Sequence, residues 1–111
     1  MYTYTSLAHQ SKPNPYLVNE INNATQEQLL LKVYDFIILH CQKKNMIKVN
    51  EAIQILMNGL SYNDPEVKEV SIGFLKLYQY CQDQARKNNF AEVQKIMTEL
   101  RDTWKTAFNN R

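Results

Sequence analysis

The chain predicts an all-α fold, an antiparallel four-helix bundle preceded by an extended or short-helical N-terminal arm. Three observations carry that prediction. Only 2 Gly and 3 Pro among 111 residues leave little material for a turn-rich β fold. Apolar residues recur with the 3.6-residue period of a helix through most of the chain. Helix-start signals stand just ahead of the periodic stretches. A chain of 111 residues builds one hydrophobic core and not two, so residues 1–20 are read as an arm and 21–111 as a single helical domain.

The arm begins with a polar stretch, residues 1–15, that holds Pro13 and Pro15 and no sustained period; it is expected to be extended or mobile. It then carries Tyr16, Leu17 and Val18. Thr25 followed by Gln28 fits a capping box, in which the Thr hydroxyl takes a first-turn N–H and the Gln side chain reaches back. The first helix is therefore predicted from about Gln26 to about Lys43. Asn45, able to act as a left-handed stop or a new cap, separates it from a second helix over roughly Met46 to Leu60. The short connection makes the pair antiparallel.

Asn63-Asp64-Pro65-Glu66 is a restart. Asp64 can cap, Pro65 stands where its missing N–H is harmless, and Glu66 suits the positive helix end. The third helix runs to about Lys87. Asn88-Asn89 breaks the pattern, and Phe90 to Phe108 forms the fourth. There Val93, Ile96, Met97, Leu100, Trp104, Ala107 and Phe108 share one face, so the only tryptophan is expected to be largely buried.

The other helices carry more apolar surface than one seam needs. In helix one Leu29, Leu30, Val33, Phe36 and Ile37 form the seam, and Leu31, Tyr34 and Ile38 widen it. Helix two has Val49, Ala52, Ile53, Leu56 and Leu60, with Ile47 and Ile55 pointing elsewhere. Helix three has Val67, Val70, Phe74, Tyr78, Cys81 and Ala85, with Ile72 and Leu75 off the seam. These surplus positions either touch a second neighbour within the bundle or form grooves for another helix. Gly73, mid-helix, costs about 1 kcal/mol against Ala, and close helix packing is the expected reason for it.

A formal net charge of +2, with no Lys/Arg run beyond two residues, lacks the footprint of a nucleic-acid binder. Neither a secretory signal nor a run of roughly 20 apolar residues is present, so neither export nor membrane insertion is expected and the cytosol is the default compartment. Cys41 and Cys81 fall among apolar residues and read as buried, reduced thiols. No phosphate loop, nucleophile elbow or metal-ligand spacing appears, so no enzyme activity and no cofactor is expected. His40 reads as a helix-end histidine, and Glu66 with Glu69 and Glu99 with Asp102 read as solvated faces.

Several of these segments also resemble the flagellin export chaperones, the FliS type. Tyr16, Ile21, Ala24-Thr25-Gln26, Val33-Tyr34-Asp35, Phe74 with Leu77-Tyr78, and Leu100-Arg101-Asp102-Thr103-Trp104 match that family's motifs in order, over roughly residues 16–106. Gln26, in place of the usual proline, and Gly73, in place of a larger polar residue, depart from the pattern. The resemblance implies a bundle in the bacterial cytosol that binds the C-terminal segment of flagellin, prevents premature polymerisation and delivers it to a component of the flagellar export gate. On that reading Tyr16, Ile21, Leu31, Tyr34, Ile38, Ile55, Ile72 and Leu75 are client-binding residues. The arm lies over one groove when no client is present, and the empty protein self-associates weakly as a homodimer. The alternative is a regulatory or structural bundle that binds a different helix through the same surface.

Overall fold

The computed structural model describes residues 25–110, which form four α-helices and no strand. They are α1 (Gln26–Gln42), α2 (Met46–Asn58), α3 (Pro65–Arg86) and α4 (Phe90–Asn109). Each consecutive pair packs together and α1 closes the ring against α4, which makes an up-down-up-down bundle. The arm with Tyr16, and Ile21 just after it, lie outside the described residues.

Local chemistry sets the helix starts. At α1 both halves of the capping box are present: Gln28 N–H donates to Thr25 Oγ1 at 3.1 Å, and Thr25 N–H donates to Gln28 Oε1 at 3.0 Å. Asn45 caps α2 by accepting from Lys48 N–H at 3.2 Å. The left-handed stop before it is Lys44, with φ 54°, and not Asn45. Asp64 accepts from Val67 N–H at 3.1 Å, with Pro65 opening α3. Between α3 and α4 Asn88 takes the left-handed conformation, φ 62°. Asn89 occupies the cap position, but its side chain donates to Gln84 and caps nothing.

The centre of the core is built from Tyr34, Ile37 and Cys41 of α1, Val49, Ala52, Ile53 and Leu56 of α2, Tyr78, Cys81 and Ala85 of α3, and Phe90, Val93 and Met97 of α4. Leu30, Val33, Phe36, Ile38, Leu60, Phe74, Ile96, Leu100 and Trp104 pack partly buried around it. The broad apolar arc of α1 is thus largely used within the chain, because α1 lies between two neighbours.

Three expectations fail, for physical reasons. Val67 and Val70 do not enter the seam and are 41% and 60% exposed. At 22 residues α3 is longer than the 13-residue α2 beside it, and its first turns pass beyond the end of that neighbour. The link before α3 runs there instead, and Ser71 Oγ donates to the carbonyl of Ser61 at 2.5 Å. Ala107 is exposed near the end of α4. Gly73 packs against none of the described residues: a Cβ built on it would find no atom of theirs within 4 Å.

Candidate binding surface

Among the described residues, Tyr34 and Asp35, Phe74 and Tyr78, and Arg101 and Trp104 converge on one place. The hydroxyls of Tyr34 and Tyr78 are 2.6 Å apart, one donating to the other, and Trp104 Nε1–H donates to Tyr34 at 3.2 Å. Phe74 stacks on Trp104 with ring centroids 5.7 Å apart and packs against Tyr78 at the same separation, while Phe108 also stacks on Trp104 at 5.6 Å. At the rim Arg101 reaches across from α4 to Asp35 of α1 at 3.0 Å and also holds Asp102 at 3.0 Å. Three segments far apart in sequence therefore form one aromatic and ionic clasp joining α1, α3 and α4.

That clasp corrects the reading of Tyr34 as a client-binding residue. Its side chain has no exposure at all, because the residue faces the bundle axis, where Tyr78 meets it from the opposite helix. Burial raises the pKa of both phenols, and their mutual hydrogen bond favours the neutral form of Tyr78 further. Both stay protonated in the folded protein. Trp104 is half-buried, not largely buried, since α4 continues past the core towards the open end where Val67 and Val70 lie.

The remaining surplus positions form a graded surface. Leu31, Ile38, Ile55 and Leu75 are half-buried, and Ile38 packs against the core. Ile72 is 36% exposed and Ile47 is 66% exposed. Ile38 belongs to α1, Ile55 to α2, and Ile72 and Leu75 to α3.

Sequence reasoning missed a polar strip between α2 and α3. Gln82 is buried and donates to the carbonyl of Asn50 at 3.2 Å and to Gln54 Oε1 at 3.5 Å, while Asn50 Nδ2 donates to the Gln82 carbonyl at 3.5 Å. Spacing offers a signal, since Asn50 and Gln54 are four apart on one helix and Gln82 lies on the edge of the next helix's seam. His40 is more enclosed than a solvated helix-end residue. Its ring lies 4.3 Å from that of Phe36, and burial together with Lys43 and Lys48 lowers its pKa, so it is neutral at pH 7.

Among the described residues no group of three or more His, Cys, Asp or Glu side chains is placed to hold a metal, and no helix is long and apolar enough to cross a membrane. No protein-family model matches the chain, and neither a curated protein nor a solved structure matches it significantly.

Proposed function

We propose that this chain is a bacterial cytosolic export chaperone that binds the C-terminal segment of flagellin, keeps it from polymerising and passes it to the flagellar export gate. The observation that carries the binding role is the apolar surface left uncovered once the bundle has closed: Ile47, Val67, Val70 and Ile72 remain exposed on α2 and α3. The family resemblance supplies the client. It is supported by the way Tyr34, Asp35, Tyr78, Arg101 and Trp104 act together as one clasp, which gives a physical reason for those residue types to occur together in such a bundle.

The mechanism follows from burial. A disordered apolar segment that folds into helices on this surface hides its own polymerisation face. Each Å² of apolar area covered contributes about 25 cal/mol, set against the entropy of ordering the segment. Leu31, Ile38, Ile55, Ile72 and Leu75 are the positions assigned to that contact, with Tyr34 acting behind them as support. Affinity then depends on area more than on charge.

Titration calorimetry with the purified flagellin C-terminal segment tests this directly. Binding by the natural chain, lost in an Ile72→Glu/Leu75→Glu variant that keeps its helical circular dichroism, is the expected result. Undiminished binding by that folded variant removes these positions from the surface. If flagellin does not bind while another helical protein is recovered from the source lysate, the protein is a binding module for that other client.

A further inference from the structure

We infer that the row of α3 centred on Gly73, with the adjoining edge of α4, seats a docked amphipathic helix whose apolar stripe is flanked by lysine or arginine. The inference deepens the proposed client binding and rests on it. Glycine is among the least favourable residues for a helix interior, and nothing among the described residues explains it here. The backbone at Gly73 is not in the left-handed region, and a Cβ would meet no atom within 4 Å. A glycine that weakens the helix and that none of the described residues packs against leaves bare backbone for a docked segment to approach closely.

Residues three, four and seven positions from Gly73 share its face. Among them Val70 is 60% exposed and Leu77 half-buried, which continues an apolar strip past the glycine. Tyr80, seven positions on, donates its hydroxyl to Glu92 of α4 at 2.9 Å, so this row borders α4. On the same edge of α4 the spacing of Ile96, Leu100 and Thr103 extends the strip, with Ile96 and Leu100 half-buried.

Charge selects the occupant. By helical spacing Glu66, Glu69, Glu92 and Glu99 border this face and outnumber Lys76, Lys87 and Lys95 there, although the whole chain carries a net charge of +2. An acidic frame around an apolar strip complements a helix with cationic flanks and opposes one with anionic flanks. A second copy of this chain is a poor occupant, because a two-fold pairing through this face would set the same carboxylates against each other.

The test uses the full chain, the flagellin C-terminal segment, and two synthetic helices sharing one leucine stripe, flanked by lysine in one and by glutamate in the other. Gly73→Ala and Gly73→Gln should both raise the thermal midpoint, by about 4 to 8 °C. Gly73→Gln should weaken binding of the lysine-flanked helix by at least about tenfold. Glu66→Lys with Glu69→Lys should turn the preference towards the glutamate-flanked helix. If the lysine-flanked helix loses affinity with Gly73→Gln while flagellin binds no variant, the surface stands and the flagellin reading falls. If flagellin binds the natural chain and Gly73→Gln within about twofold of each other, the surface is overturned and the flagellin reading stands. Failure of the lysine-flanked helix to bind the natural chain also overturns the surface.

Discussion

Tyr34 and Tyr78 meet hydroxyl to hydroxyl, 2.6 Å apart, across the bundle axis from helices that are not direct neighbours in the ring. In an apolar core this is a specific junction. Each phenol has a partner only while the two helices keep their register, and Trp104 ties the third helix to the same oxygen.

Removing either hydroxyl should be destabilising, and unequally so. Tyr34→Phe leaves both the Tyr78 hydroxyl and the Trp104 N–H without their partner, whereas Tyr78→Phe leaves Tyr34 still accepting from Trp104. The expected losses are about 2 to 3 kcal/mol for Tyr34→Phe and about 1 to 2 kcal/mol for Tyr78→Phe. The double variant should lose less than the sum, since the penalty is for stranded groups and not for the bond. Urea denaturation of the four proteins measures this, and equal single losses that simply add would contradict it.

Trp104→Ala should cost about 2 to 4 kcal/mol, somewhat under the range for a fully enclosed aromatic. The side chain is half-buried but stacks with both Phe74 and Phe108 and donates to Tyr34. Trp104→Phe should recover part of the loss by keeping the stack. If Trp104→Ala unfolds at the natural midpoint, the clasp contributes nothing to stability.

The thiols and phenols set an alkaline limit. Burial pushes Cys41 up to about 11 and Cys81 up to about 12, from an ordinary value of 9.0. Both thiols are then protonated in the folded chain when they have already ionised in the unfolded one. Their contribution is complete below pH 9 and is lost as pH rises through those folded values, with Tyr34 and Tyr78 adding to the loss above pH 10. Stability should fall by about 1.4 kcal/mol per pH unit for each group ionised only in the unfolded state. A Cys41→Ala/Cys81→Ala variant should show a flatter profile between pH 9 and 10. In the natural protein both thiols should react with a disulfide reagent only after denaturant is added.

The Arg101 to Asp35 pair should matter less than its place in the matched motifs suggests. Its side chains are 35% and 57% exposed, and a solvated pair contributes about 0 to 1 kcal/mol. Asp35→Asn should therefore shift the urea midpoint only slightly, and less in high salt than in low. A loss comparable to that of Tyr34→Phe would make the ion pair, and not the aromatic junction, the main tie.

The sequence by itself determined where the helices begin, because capping is decided within one turn. Thr25 and Gln28, Asn45 with Lys48 N–H, and Asp64 with Pro65 act on atoms three residues away, and these local signals place three starts correctly. The apolar period likewise named most of the core, from Val49, Ile53 and Leu56 to Cys81 and Val93. What the period could not show was where each neighbour stops. Val67 lies in line with the seam of α3 yet stands exposed because α2 is shorter, and Tyr34 reads as surplus on α1 until Tyr78 and Trp104 arrive from elements 44 and 70 residues away. Burial depends on the lengths and register of packed helices, and those are properties of the assembled bundle that no single helix encodes.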